Sequence, residues 1–205
     1  MGKIRILYFL EDRAQEGFIK AMIERIAEEE SVPVEKLIHD VRSARHGSRV
    51  FNEFKNFLKD IAKSTFSEAV LLVVAIDGNC KGHNDRIKQL EKMIKSDHPL
   101  RNKIIFAVPD PHIERWYMMD QKAFKMGVGL KKSPDMAAYK CKKNYYKQLL
   151  HQTFKESNIN SLLGGSEYGE RIVNQIDEME KFSKVDAGCQ SFMQSAKHFF
   201  RNITF

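Results

Sequence analysis

The chain is poor in cysteine and has no long apolar run, and both absences narrow its class. Its 205 residues include three cysteines, Cys80, Cys141 and Cys189, and no two of them form a CxxC pair. This count and spacing favour neither a disulfide framework nor a zinc site, so a reducing compartment is expected. The apolar run at the start of the chain stops at Glu11, too early for a secretory signal or a membrane span. We therefore expect a cytoplasmic protein with no membrane partner.

A phosphate-binding loop of the Walker type is also absent from the sequence. The pattern G-x-x-x-x-G-K-[ST] does not occur, and the segment KGHNDR at 81–86 has no second glycine at the required spacing. Nucleotide hydrolysis by this chain alone is therefore not expected, although a partner ATPase is compatible with the sequence.

Apolar residues make up 42% of the chain, enough for the core of one domain, and their pattern indicates the fold class. Three runs rich in β-branched and aromatic residues have the length of buried strands: 4–10, 69–77 and 103–109. Apolar residues at helical spacing lie between them, at 14–30 and 48–64. Strands separated by helices in this way predict an α/β protein with a parallel-centred sheet flanked by helices.

The last third of the chain differs from the rest, because no β-rich run follows Trp116. Helical patterns extend instead over 139–154, 167–182 and 192–200. We expect these helices to pack on the sheet or beside it without a core of their own. The sequence thus predicts a single domain over 1–205, with an α/β core over 1–120 and a helical part over 121–205.

Acidic residues follow each of the three predicted strands. They are Glu11, Asp12 and Glu16 after the first, Asp77 with the neutral Asn79 after the second, and Glu114 with Asp120 after the third. Ligands of open α/β sheets bind outside the carboxyl ends of the strands, where these residues are expected to meet. Each acid alone is compatible with a turn, a helix N-cap or a solvated helix face. Repetition at three strand ends favours a site for Mg²⁺, which prefers oxygen ligands and relieves the repulsion between carboxylates.

Three motifs occur in an order that resembles a known family. They are LEDRAQEGF at 10–18, VVAIDGN at 73–79 and IERW at 113–116, and the later segments YKQLL at 146–150 and GGSEYGERIV at 164–173 add to the likeness. Together they resemble the TOPRIM fold of topoisomerases, primases and overcoming-lysogenisation-defect nucleases, and in particular the small single-domain TOPRIM-like proteins. The resemblance covers most of the chain.

The resemblance implies a magnesium-dependent nuclease, with Mn²⁺ able to replace Mg²⁺. It assigns catalysis to Glu11, Glu16, Asp77 and Glu114, and metal binding to Glu11, Asp12, Glu16, Asp77, Asn79 and Glu114. It also implies a role in defence against phage or other foreign DNA, often with a partner ATPase.

Two departures from the family pattern keep alternatives open. Glu11 and Glu16 are five residues apart instead of four, so either Glu11 or Asp12 takes the first ligand position. Asn79 replaces the second acid of the family's Asp-x-Asp pair, which removes one charge from the site. The main alternative is therefore a non-catalytic module that binds nucleic acid or an ATPase, and a weaker one is phosphoryl transfer on a small nucleotide.

Basic residues outnumber acidic ones by 34 to 27, and several are clustered. The residues predicted to contact nucleic acid are Arg42, Arg45, Arg49, Arg86, Arg115, Lys140, Lys142, Lys143 and Lys147. Lysine and arginine neutralise phosphates, the neighbouring Tyr145 and Tyr146 offer faces for stacking bases, and guanidinium groups near the acids suit a scissile phosphate. The competing interpretations are a solvated helix face for the lysines and structural salt bridges for Arg86 and Arg115.

Overall fold

The computed structural model describes residues 2–45, 47–132, 138–142 and 144–203, without the side chain of Ser48. In this part of the chain, four strands form one sheet: β1 (Ile4–Leu10), β2 (Leu37–Ser43), β3 (Ala69–Ala75) and β4 (Ile104–Ala107). Their spatial order is β2-β1-β3-β4, and every neighbouring pair is parallel. The predicted α/β class with a parallel sheet is confirmed.

The strand β2 is missing from the sequence prediction. Its sequence, LIHDVRS, is mostly polar, and only Leu37 is buried. The reason is its position at the edge of the sheet, where it pairs with β1 alone. The other edge strand, β4, is apolar, but six of the seven β2 residues are partly or fully exposed, so β2 needs no apolar run and its pattern is weak. The predicted basic segment therefore begins inside a strand, at Arg42.

Helices cover both faces of the sheet. Side chains of β1 alternate between two clusters: Ile6 and Tyr8 pack on the face of α1 (Glu16–Glu29), and Leu7 and Phe9 pack on the face of α2 (Val50–Ile61). Burial on both faces explains why β1 is apolar throughout except for Arg5 near its start. The remaining helices are α3 (His83–Glu91), α4 (Ile113–Met118), α5 (Gln121–Val128), α6 (Tyr145–Glu156), α7 (Gly169–Val173), α8 (Met179–Lys184) and α9 (Ala187–Arg201).

The C-terminal part is helical, as predicted, but its boundaries differ. The predicted helix over 167–182 is two helices, α7 and α8, separated by residues 174–178. These helices pack on the α1 face of the sheet, where Gly169 lies so close to α1 that a Cβ would be 2.8 Å from the backbone nitrogen of Phe18. Within the described residues, no helix has the length and apolar character needed to cross a membrane.

Cysteine pairing contradicts the sequence prediction. Cys80 and Cys141 form a disulfide with their Cα atoms 5.5 Å apart, whereas Cys189 is free and buried. The expectation that the cysteines form no disulfide was wrong. The two partners are 61 residues apart, and the fold places the loop after β3 beside the segment before α6. Spacing along the sequence carries no signal for a pairing of this kind.

Candidate metal and nucleic-acid site

The carboxyl ends of β1 and β3 bring Glu11 and Asp77 together. The two strands are in register up to Leu10 and Ala75, and the backbone N–H of Glu11 donates to the carbonyl of Ala75 at 2.9 Å. The backbone N–H of Asp77 in turn donates to Oε2 of Glu11 at 2.8 Å. These two predicted site residues are thus adjacent at the same edge of the sheet.

Asp77 is buried and held from both sides. Gln15, which has no exposed surface, donates from Nε2 to Oδ1 of Asp77 at 2.9 Å, and Nδ1 of His112 lies 3.1 Å from Oδ2. The other end of the Gln15 amide, Oε1, accepts from the backbone N–H of Glu11 at 2.9 Å. Gln15 therefore orients the Asp77 carboxylate and links it to the backbone of Glu11, a role that sequence reasoning missed. A glutamine in the polar run DRAQE gives no sign that it is buried.

Glu114 approaches the same place from α4. Its side chain is buried, Oε1 lies 3.9 Å from Nζ of Lys147 on α6, and Oε2 has no hydrogen-bond partner. The neighbouring Trp116 is fully buried and donates from Nε1 to Oδ1 of Asp186 at 3.1 Å, which fixes α4. A buried carboxylate oxygen without a partner is costly, so Glu114 is the acid with the clearest need for a further ligand.

Electrostatic interactions join Glu11, Asp12, Asp77 and Glu114 into one group, which we call the acid cluster. Burial raises the pKa of Glu11 to about 7, and repulsion by Asp77 contributes. Burial, and then Asp77, also raises the pKa of Asp12, and burial raises that of Glu114. Lys147 responds to all four acids: burial opposes its charge, but their attraction gives it a net raised pKa.

The raised pKa of Glu11 predicts a pH dependence of stability without metal. The folded protein keeps a proton on Glu11 up to about pH 7, whereas the unfolded chain releases it near the ordinary value of 4.5. The folded state thus binds more protons in this window, so the Glu11 contribution to the unfolding free energy falls as pH rises. Between about pH 5 and 8 the unfolding free energy should fall by on the order of 2 kcal/mol because of Glu11, and we expect this fall to be absent from Glu11→Gln. Urea unfolding in chelator at several pH values measures it, and parallel profiles for the two proteins would contradict it.

Other predicted ligands lie apart from this group or face elsewhere. Glu16 lines a pocket of about 440 Å³ with Lys20, Glu24 and Glu167, on the α1 side of the sheet end. Asn79 is exposed, and its Nδ2 donates to the backbone carbonyl of Asp77 at 3.3 Å. Asp12 belongs to the acid cluster but also caps the 3-10 turn after β1, where Oδ1 accepts from the N–H of Ala14.

Two of the predicted nucleic-acid contacts are buried inside the protein. Arg115 forms a salt bridge with Asp186 and donates to the carbonyl of Asp110. Arg86 donates to the carbonyl of Gly78 and to Oε1 of Gln89. Structural contacts occupy these two guanidinium groups, which agrees with the competing interpretation of Arg86 and Arg115. Arg42 is different, because it is exposed and its guanidinium lies over the ring of Phe57 and 3.7 Å from the exposed carboxylate of Asp60.

The other predicted nucleic-acid contacts that the structure describes lie on two sides of the acid cluster. Arg45 and Arg49 are exposed on either side of Gly47, whose Cβ position would be 3.5 Å from Oε1 of Glu11. On the other side, Lys147 is exposed beside Glu114, and the segment with the exposed Lys140 and Lys142 is joined by a disulfide to the loop after Asp77; Lys143 lies outside the described residues. An extended phosphate backbone that crosses the sheet end would meet positive charge before and after the acids.

The chemistry of the acid cluster suits a hard divalent cation, although several of its carboxylate oxygens already accept hydrogen bonds within the protein. Carboxylate oxygens are the preferred ligands of Mg²⁺, and Oε2 of Glu114 has no hydrogen-bond partner. Burial, with repulsion between the acids, raises the pKa values of Glu11, Asp12 and Glu114, and a bound cation would favour their charged forms. Among the described residues, no three His, Cys, Asp or Glu side chains are placed so that they hold a metal ion together. TOPRIM-like membership stays a prediction from the motifs, since the chain matches no family model, no curated protein and no solved structure.

Proposed function

We propose that this protein is a magnesium-dependent hydrolase of nucleic-acid phosphodiesters. The observation that carries the proposal is the acid cluster itself: four acids converge at the carboxyl end of a parallel sheet beside Lys147, with one buried carboxylate oxygen unpaired. Structural ion pairs do not need this excess of negative charge. Clustered carboxylates with raised pKa values at a strand edge are typical of functional sites.

The roles within the site follow from the contacts. Glu11, Asp77 and Glu114, with Asp12 beside them, would hold Mg²⁺ or Mn²⁺, whereas Glu16 and Asn79 are left out because of where they lie. When bound, the metal would activate a water molecule and neutralise charge that develops on the phosphate. Gln15 and His112 keep the Asp77 carboxylate in a fixed orientation. Lys147 reaches solvent beside Glu114 and is the cation best placed to contact a phosphate oxygen.

The choice of nucleic acid as substrate rests on the exposed basic residues. Arg45 and Arg49 on one side and Lys140, Lys142 and Lys147 on the other span a path over the acids that a polyanion fits. A cytoplasmic location, a partner ATPase and a role in defence against foreign DNA complete the proposal. The location rests on the cysteine content and the short apolar run of the sequence, and the other two parts rest on the sequence resemblance.

A second candidate function is a non-catalytic module that binds nucleic acid or a partner protein. The observation in its favour is that both carboxylate oxygens of Asp77 already have protein partners, Gln15 and His112. Lys147 also supplies a positive charge to the acids, so the group is partly neutralised without metal. The exposed basic residues serve this function equally well.

Incubation with plasmid, single-stranded DNA and total RNA separates the two functions. In the presence of Mg²⁺ or Mn²⁺ we expect cleavage of at least one substrate, and none in chelator, because the acids alone cannot activate water. A gel-shift measurement on the same samples reports binding independently of cleavage. Binding without metal-dependent cleavage would reject the hydrolase in favour of the module, and the absence of both would reject the hydrolase and a module that binds nucleic acid.

A further inference from the structure

The disulfide between Cys80 and Cys141 joins two exposed segments at the rim of the acid cluster. Cys80 lies three residues after Asp77, in the loop between β3 and α3, and Cys141 lies in the segment 138–142, six residues before Lys147. Both cysteines are exposed, so a small thiol in solution has access to the bond. Cys189 is fully buried and cannot compete for exchange.

The Cys80 side of the bond is firmly fixed. The N–H of Gly78 donates to the carbonyl of Pro109 at 2.7 Å, and the N–H of Cys80 donates to Oδ1 of Asp110 at 2.8 Å. A Cβ on Gly78 would collide with the Asp110 carboxylate, so the loop packs directly on that side chain. Cys80 is therefore an anchor whose position is set by the sheet end and not by the disulfide.

The Cys141 side lies in a segment, 138–142, whose residues are all exposed. Tyr139 is half exposed, donates from its hydroxyl to Oδ2 of Asp110 at 2.6 Å and stacks over the guanidinium of Arg115 at 5.1 Å. The N–H of Lys140 donates to the hydroxyl of Tyr146 at 3.1 Å, its ammonium lies 5.0 Å from the ring centre of Tyr145, and the carbonyl of Lys142 accepts from the N–H of Tyr145 at 3.0 Å. Exposed segments without buried apolar side chains open at low free-energy cost, so the covalent bond to the fixed Cys80 is a restraint whose loss should loosen 138–142.

We propose that Cys80 and Cys141 form a redox-controlled latch, which holds Lys140 and Lys142 beside the acid cluster when oxidised and releases them when reduced. The latch regulates nucleic-acid binding at the proposed site, so that part rests on the proposed function. In the oxidised state the disulfide keeps the segment that carries these lysines next to the loop that follows Asp77. In the reduced state the segment is free to move away, and the number of phosphate contacts falls.

The chemistry is thiol–disulfide exchange with a low-molecular-weight thiol. One thiolate attacks a protein sulfur, the protein disulfide breaks, and a mixed disulfide and one protein thiol result. A second thiol attacks the mixed disulfide and releases the other protein thiol together with a small disulfide. Two electrons and two protons pass to the protein, and the reverse reaction with the small disulfide closes the latch. In a reducing cytoplasm the pair rests as thiols, and the latch closes when the thiol pool becomes oxidised.

The structural part of the latch is tested without nucleic acid. Alkylation under native conditions is expected to label no cysteine in the oxidised protein and two after treatment with glutathione. Amide hydrogen exchange over 138–142 should become at least about tenfold faster on reduction, and should be equally fast in the Cys80→Ser/Cys141→Ser variant with or without glutathione. Two labelled cysteines in the air-oxidised protein, or unchanged exchange rates, would overturn the latch.

The functional part is tested by binding to single-stranded and duplex DNA over a range of salt concentrations. At about 0.1 M salt, removal of one phosphate contact weakens binding by about tenfold and lowers the salt slope by up to about 0.9 units. We expect the reduced protein and the double-serine variant to bind about 10- to 100-fold more weakly than the oxidised protein. Equal binding by all three forms would overturn the latch as a regulator while leaving the proposed function intact. Binding by none of them would reject the proposed function and this regulatory role, and the exchange rates would still decide whether the latch opens.

Discussion

The variant Asp77→Asn is expected to fold like the wild-type protein and to lose at least about 100-fold in metal-dependent cleavage. A bound metal ion contributes several kcal/mol to stabilisation of the transition state, and each 1.36 kcal/mol is about tenfold in rate. Asparagine keeps the shape of the side chain and accepts the hydrogen bond from Gln15 as before. Its amide group can also donate to Nδ1 of His112 in place of the ionic contact. The substitution therefore removes charge from the site with little change in packing.

Stability measurements separate loss of charge from loss of fold in this variant. Asp77 contributes to the raised pKa of Glu11, so its neutralisation should leave thermal stability in chelator unchanged or slightly higher. Asp85→Asn, at an exposed position in the first turn of α3, is the matched control and should retain full cleavage. Wild-type activity in a folded Asp77→Asn protein would contradict the hydrolase proposal and leave the binding module.

The sequence predicts the apolar strands of the sheet well and the polar strand β2 poorly. The buried strand β1 occurs at the predicted residues, and β3 and β4 lie within the other two predicted runs, because strands covered on both faces are rich in apolar residues. The edge strand β2 is not buried on both faces, and polar residues such as Asp40 and Arg42 give its sequence the composition of a loop. The helix predicted over 167–182 is interrupted at 174–178, because apolar spacing persists across a break that only the backbone shows.

The site is predictable to the extent that strand ends determine it. Glu11, Asp77 and Glu114 meet because parallel strands place their carboxyl ends at one edge, which the sequence order already implies. The positions of Glu16 and Asn79 depend on the rotation of a helix turn and on one loop, neither of which spacing determines. Gln15 and the cysteine pair depend on tertiary contacts between distant segments, so single-sequence patterns carry no signal for them.

Lys147→Met is expected to lower cleavage by about 10- to 100-fold and to reduce the salt slope of nucleic-acid binding by up to about one unit. A hydrogen bond between charged groups is worth about 1.5 to 3 kcal/mol, which corresponds to the expected loss of cleavage. The expected change in salt slope is that of one lost phosphate contact. Methionine keeps most of the length of the side chain and its packing on α6. The amine, however, also attracts the acids, and its loss should raise the pKa of Glu114 further because Lys147 now lowers it.

A matched pair of controls distinguishes a phosphate contact from simple neutralisation of the acids. Lys155→Met changes an exposed lysine in the last turn of the same helix and should behave like the wild type. Lys147→Arg keeps the charge, so it should retain the salt slope and most of the cleavage. If Lys147 only neutralises the acids, Lys147→Met will leave the salt slope unchanged and bind Mn²⁺ more tightly in calorimetry, since a competing cation has been removed. A lower slope together with lower activity assigns Lys147 to the substrate phosphate.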